Sequence, residues 1–489
     1  MKQKSLFKNT VYKAILSLFN IVVPLIVGPY IVRILDVDLY GMYNKVYSEF
    51  QIFLIFAAFG IYTFGVREIS KIRDDKEKVS KLFSNLCLIS LITNSIVVIL
   101  YILYSIFFSG GLTTVIYLLM TIQIVGNIFY IEFVNEALEN YKFITIKSAI
   151  IKLMYLVALL LFVKKPDDII IYTIIICMTV FLNNIVSFIY AKRRIKFNFD
   201  DIKIKKYLKA MAFILVIENA DLLYSQLDRV MLGKIVSDVS VTNYYISYYL
   251  VSTVVSIPYA IINVSIPRLS YVLKNQGKEE YVSLLKKAFS SLLFIIVPCC
   301  LGMFVLSEEI ILLYAGDKYA YIYTTMMVAC IVRIIISIQS VFTNLVMYPN
   351  NEEKQLLKFC MGFGIINVMF NLILVVLDMF NPFTAMLTTG IAILMFTVAQ
   401  YIYARRKLGV NLLILEGSNK VYILLSLLFI PISILIRLLN LSFFVNMALI
   451  MVVCVILYVG VLYIRKDYNL LLILDKVFGK LKRFVKRGK

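Results

Sequence analysis

About fourteen apolar stretches, each long enough to cross a bilayer as a helix, follow one another along this chain with only short polar segments between them. They are expected at 12–33, 44–66, 82–108, 113–136, 143–163, 168–191, 209–234, 241–266, 282–306, 319–347, 354–377, 382–404, 420–439 and 443–464. A hydrocarbon core admits only helices or closed barrels, because every backbone N–H and C=O must find its partner within the protein. The runs far exceed a ~10-residue barrel strand and show no sustained alternation, so strands are not expected. The fold class is an all-α polytopic membrane protein. Composition agrees: 61% of residues are apolar and 16% charged, where a soluble chain would be about a quarter charged. A soluble globular enzyme and a disordered chain are both excluded. The first stretch is too long for a signal-peptide core and no small-residue cleavage site follows it, so it is expected to stay in the mature protein.

Residue types remove further chemistry. The chain has no His, hence no imidazole base, His-ligated metal or His proton relay. It has no Trp, so an interfacial aromatic belt falls to its 34 Tyr. The seven Cys all lie in apolar stretches and none are spaced C-x-x-C, which reads as small buried hydrophobes. No G-x-x-x-x-G-K-[ST] loop is present to cradle ATP phosphates, and no metal-ligand or nucleophile triad stands out. No enzyme, metal site or cofactor is expected. Outer loops of about a dozen residues at most are too short to fold a catalytic domain.

The net charge is +21. In a soluble protein that would point to nucleic acid; here the placement of the charges decides. With the N-terminus inside, the inner segments hold 40 of the 50 Lys and Arg. Outer loops and helix ends hold eight: Arg33, Lys45, Lys164, Lys165, Arg229, Lys234, Lys318 and Arg437. Lys152 and Arg333 lie within spans. The asymmetry is a positive-inside signature with both termini in the cytoplasm, and it accounts for the charge without nucleic acid.

A weak repeat divides the chain. Arg67-Glu68-Ile69-Ser70 ends the second span and Arg268-Leu269-Ser270 the eighth. Arg33 with the following Tyr40–Tyr43 turn resembles Arg229 with Val241–Tyr244. Two parallel six-helix lobes with a substrate site between them account for these offsets, as do chance and ordinary basic helix ends. The expected organisation is an N-terminal lobe 1–191, a basic linker 192–208, a second lobe 209–404, two appended helices over 405–465, and a tail over 466–489. In the tail, Leu470, Leu474, Val477, Phe478, Leu481 and Val485 recur at helical spacing among Lys and Arg. That pattern reads as an amphipathic helix on anionic inner-leaflet lipid.

An ionisable group inside a span costs about 2.5–3.5 kcal/mol on insertion scales, so each is a functional candidate. The cations are Arg33, Arg67, Lys152, Arg229 and Arg333; the anions are Glu49, Glu132, Glu136, Glu218, Asp221, Asp228 and Asp378. Arg333 sits mid-helix, beyond easy snorkelling, and reads as lumen-facing or as half of a buried ion pair. Lys152 reads equally as lumen-facing or snorkelling. Glu218, Asp221, Ser225 and Asp228 are spaced to share one helix face, which lines water or forms an ion-pair seam. Pro24 and Pro29 are expected to break the first helix, and Pro258, Pro267 and Pro298 to act similarly in the eighth and ninth.

The run Pro24-LIVG-Pro29-Tyr30-IV-Arg33-I-Leu35 through Tyr40-Gly41-M-Tyr43 resembles the opening of bacterial polysaccharide flippases. These form the Wzx-like branch of the multidrug/oligosaccharidyl-lipid/polysaccharide exporter superfamily. Phe64–Ser70, Leu227–Gly233 and Pro267–Ser270 resemble further parts of that family. Asp36 departs from it, standing where the family usually has Gly. The resemblance implies fourteen helices and transport of an undecaprenyl-diphosphate-linked oligosaccharide from the inner to the outer leaflet of the cytoplasmic membrane, for capsule, exopolysaccharide or O-antigen. It implies action as a monomer beside glycosyltransferases and a polysaccharide polymerase. Arg33, Arg67, Lys152, Arg229 and Arg333 would line the diphosphate and sugar cleft, since Arg binds phosphate through a bidentate fork. Glu218, Asp221 and Asp228 are the candidate ion-coupling groups. The alternatives are a cation-coupled multidrug exporter and a lipid II flippase.

Overall fold

The computed structural model describes residues 6–218, 224–256, 258–413 and 415–475, and among them the only regular structure is helical. The chain divides into two compact units, Met1–Thr242 and Asn243–Lys489.

The first unit carries α1 (Leu6–Ile34), α2 (Val37–Ala58), α3 (Ile61–Ile72), α4 (Lys76–Phe108), α5 (Gly111–Asn127), α6 (Glu132–Ala137), α7 (Tyr141–Phe162), α8 (Ile169–Lys192), α9 (Ile204–Glu218) and α10 (Ser225–Met231). A π-helical turn, Leu232–Val236, continues α10. The division between units falls inside α11 (Asp238–Val255). The second unit continues with α12 (Tyr259–Asn275), α13 (Lys278–Val305), α14 (Ser307–Ala315), α15 (Tyr323–Val341), α16 (Glu353–Val376), α17 (Pro382–Arg406), α18 (Ser418–Leu427), α19 (Phe429–Arg437) and α20 (Phe443–Ile464).

Twelve of the expected spans are helical segments long and apolar enough to cross a membrane. The other two, 209–234 and 241–266, include residues outside the description and are helical in most of the rest. The chain is a multi-pass membrane protein, and its large outward-facing apolar side chains, such as Ile99, Leu161, Leu372 and Ile456, are what lipid solvates.

Several spans are built differently from the sequence expectation. The second is two helices, since Phe59 (φ 46) and Gly60 (φ 70) are both left-handed and end the hydrogen-bond ladder of α2. The fourth is likewise split, at 128–131, between α5 and α6. Pro24 and Pro29 do not break the first span: α1 runs unbroken through both. A proline removes one ladder bond and crowds one carbonyl, and a 29-residue helix held by its neighbours accommodates that. Pro267 and Pro298 also lie inside helices, and Pro258 immediately precedes α12.

Asp36 settles the first turn. Its carboxylate accepts from the backbone N–H of Asp38 (2.9 Å) and Leu39 (3.1 Å), so it caps α2 where a glycine would leave those donors bare. Gly41 is required by close approach: a Cβ there would lie 2.8 Å from the backbone carbon of Asp238. The basic stretch after α8 is pinned to α4, with Asn198 N–H donating to Ser84 Oγ (2.7 Å) and Lys203 N–H to Asn85 Oδ1 (2.7 Å). Phe197 stacks on Phe83, ring centroids 5.4 Å apart. Of the expected amphipathic tail, 468–475 are helical, and 476–489 lie outside the described residues.

Candidate functional site

In the first unit, Arg33 occupies the last turn of α1 and is exposed. Arg67, on α3, is exposed, contacts Glu68 Oε1 through Nε at 2.9 Å and lies 5.8 Å from the Phe64 ring centre. Lys152 is half-buried in α7, and its ammonium donates to Asn20 Oδ1 of α1. Arg229 is half-buried in α10, its Nε donating to the Ser225 carbonyl at 3.2 Å. Asp228, beside it, is fully buried. Glu218 ends α9, but its side chain, like the whole of Asp221, lies outside what is described.

The same unit places two groups that sequence reasoning did not join. Lys147 of α7, with a side chain 3% exposed, reaches Glu132 Oε2 of α6 at 3.0 Å and Ser187 Oγ of α8 at 2.6 Å. Ser187 completes the triangle by donating to the same carboxylate oxygen at 2.6 Å. Glu49 of α2 is 4% exposed and accepts from the hydroxyls of Tyr104 and Tyr117 on α4 and α5. Lys45, one turn before it, is tied to Asp238 at 2.9 Å.

In the second unit, Arg333 lies in the middle of α15, half-buried. Its neighbour Val332 faces α17, where a Cβ added to Gly390 would come within 2.6 Å of it. The guanidinium lies 5.0 Å from the Tyr259 ring centre, on α12. Its Nε is buried without a hydrogen-bond partner, and no described carboxylate pairs with it. Arg437, by contrast, is committed: it holds Glu309 at 2.7 Å and the Val305 carbonyl at 2.8 Å, fixing α19 to α13 and α14. A 370 Å³ groove between α13, α19 and α20, lined by Pro298, Met303, Phe429, Ile450, Val455 and Val459, is almost wholly apolar and suits hydrocarbon rather than a charged head.

The chemistry of these groups divides cleanly. A guanidinium next to a carboxylate is neutralised and serves packing; one resting on an aromatic face keeps its donors for a ligand anion. Among the described residues, Arg333 and Lys152 have no acidic partner, whereas Lys147 and Arg437 do. No group of three or more metal-ligating side chains occurs among the described residues.

A "Putative O-antigen transporter" of Escherichia coli (strain K12) is 22% identical over 75% of this chain and 89% of its own length. A protein of the same description from Shigella dysenteriae is 23% identical over 73% of this chain and 91% of its own length. Among solved structures, the lipid II flippase MurJ in an inward closed conformation superposes with a TM-score of 0.70 at 14% identity, covering 93% of this chain and 99% of that one. An inward-facing multidrug resistance transporter of the MOP superfamily gives 0.54 at 11% identity, covering 79% and 97%. The fold is thus that of the multidrug/oligosaccharidyl-lipid/polysaccharide exporters. The model of the family described as polysaccharide biosynthesis protein matches residues 6–273, more than half of the chain, and the chain belongs to that family.

Proposed function

We propose that this protein is a flippase carrying a polyprenyl-diphosphate-linked oligosaccharide from the inner to the outer leaflet of the cytoplasmic membrane. The observation that carries the reading is Arg333, a mid-span guanidinium resting on Tyr259 with no acid to neutralise it. A permanent charge at that depth is expensive unless a ligand repays it. A diphosphate does so, because an unpaired anion cannot cross hydrocarbon and the guanidinium fork matches its oxygens. Lys152, Arg33, Arg229 and Arg67 are the further cations proposed to meet the diphosphate and sugar, while the polyprenyl tail stays in lipid. The relatives described as O-antigen transporters support the same substrate class.

The membrane potential favours the direction of transport. Each negative charge leaving a negative interior gains about 2.3 kcal/mol per 100 mV, and a diphosphate dianion about twice that. Asp228, with Glu218 and Asp221, remains the proposed cation-coupling set, of which Asp221 lies outside the described residues. The basic tail is proposed to rest on anionic inner-leaflet lipid.

The test is Arg333→Ala and Arg333→Lys in the native host, measuring surface polymer against protein inserted in the membrane. Losing a charge-assisted contact worth about 1.5–3 kcal/mol lowers export about 10- to 150-fold in Arg333→Ala. Arg333→Lys keeps the charge without the fork and falls between. Unchanged export in Arg333→Ala, at normal insertion, overturns the role of this residue.

A lipid II flippase is the second reading, favoured by the 0.70 superposition. Both substrates share the diphosphate, so the separating experiment is rescue of cells depleted of their lipid II flippase. A drug exporter for organic cations is disfavoured, since α1 contains no carboxylate.

A further inference from the structure

Phe197, Phe199 and Ile202 stand 37%, 47% and 54% exposed on the basic stretch between α8 and α9. The stretch that carries them is firmly held. Ile195 is buried in the core of the first unit with Phe83 and Leu86. Asn198 and Lys203 donate from their backbones to α4, and Asn85 Nδ2 donates to the Asp201 carbonyl at 2.8 Å. The Phe197 and Phe199 rings lie 5.5 Å apart, and Phe197 stacks in turn on Phe83. A segment fixed in place that turns three large apolar side chains outward offers them to something other than water.

Cations surround the stack. Over 192–209 there are eight Lys and Arg against two Asp, and Asp201 is engaged by Lys203. The Lys192 ammonium lies 3.5 Å from the Phe197 ring centre, and the Arg194 guanidinium 4.1 Å from that of Tyr190. Arg193, Arg194 and Lys196 are exposed. Apolar side chains among Lys and Arg are the composition that partitions to an anionic bilayer interface. An acidic protein would match the charge equally well, and depth decides between the two.

The depth follows from α4. Its 33 residues make about 50 Å of helix, against a hydrocarbon core of about 30 Å. Its large outward apolar side chains begin at Leu91 and run to Phe108. About 20 residues counted back from Phe108 fill the core and reach Leu88. Ser84 and Asn85, to which the basic stretch is tied, lie about 5 Å further on, inside a headgroup layer of about 5–8 Å. A soluble protein would have to displace lipid headgroups to reach them.

We propose that residues 192–203 form a binding site for anionic phospholipid. Arg193, Arg194 and Lys196 meet the headgroup phosphates, and Phe199 and Ile202 enter the boundary of the acyl chains. Phe197, stacked between Phe83 and Phe199 beneath the Lys192 ammonium, holds the two parts together. What the protein transports has no bearing on this site.

The chain contains no Trp, so Phe199→Trp gives the full-length protein a single fluorophore at the site. The protein is reconstituted in phosphatidylcholine vesicles containing an equal share of either brominated phosphatidylglycerol or brominated phosphatidylcholine, and quenching is compared. Brominated phosphatidylglycerol is expected to quench more strongly, with the preference shrinking as salt rises. Arg193→Gln and Lys196→Gln, added to the reporter, lower the preference by up to about 5-fold per charge removed. A reporter at Ile99→Trp, on the outward face of α4, is quenched by both lipids alike, because it meets acyl chains away from the headgroups. Equal quenching of the Phe199→Trp reporter by the two lipids, or the same preference at Ile99→Trp, overturns the site. So does an absence of quenching by either lipid; protection of that reporter from acrylamide in native membranes alone would then assign the surface to a protein partner.

Discussion

Lys147 and Arg333 are both cations within apolar helices, and their surroundings give them opposite meanings. Lys147 is sealed with Glu132 and Ser187, so it ties α6, α7 and α8 together. Removing one partner of a buried pair strands the other, at about 3–5 kcal/mol. Lys147→Met is therefore expected to lower the melting temperature in detergent markedly. Adding Glu132→Gln should recover much of that loss, because no bare charge remains. Equal melting of single and double variants would show that the pair is not coupled. The sequence displays Lys152 and Arg333 as deep charges because depth is a linear property of a span. Lys147 lies seven residues into its helix and reads as an interfacial lysine; its acid is fifteen positions away across a turn, a relation that only packing creates. Glu49 was visible as an acid within a span, but its two phenols come from other helices.

Helices as units were more legible than their interruptions. Hydropathy placed the spans because the bilayer demands long apolar runs. It did not place the break at Phe59-Gly60, since a left-handed non-glycine is set by tertiary fit rather than propensity. Nor did it foresee α1 running through Pro24 and Pro29. At the start of α2 three substitutions at two positions separate local from tertiary causes. Asp36→Ala loses a cap worth about 1 kcal/mol, while Asp36→Gly costs only a few tenths. Gly41→Ala improves the helix propensity but drives a methyl against the Asp238 backbone, so it is expected to be the most damaging of the three. Thermal melts of the three variants test that order, and an innocuous Gly41→Ala would mean that the 237–239 backbone yields.

For the whole molecule, the distribution of charge is the quantity that orients it. Fifty Lys and Arg face 29 Asp and Glu, and most of the excess falls in alternate loops. The turn between α3 and α4 belongs to the basic set, and the turn between α4 and α5 to the neutral one. Lys and Arg resist transfer to the outer side, so α4 is expected to run from the cytoplasm outwards. Two sites flanking this helix report the direction. Gly110 has open space around it, and Asp74 is exposed, so a cysteine at either position meets water without disturbing packing. The natural cysteines give little background, because five are buried and the other two, Cys87 and Cys299, are only partly accessible within apolar helices. Burial raises the barrier to their reaction further, since the thiolate is the reactive form. In intact spheroplasts a membrane-impermeant maleimide should label Gly110→Cys at once and Asp74→Cys only after permeabilisation. The reverse pattern would invert every span and require the proposed transport to be driven from the opposite side.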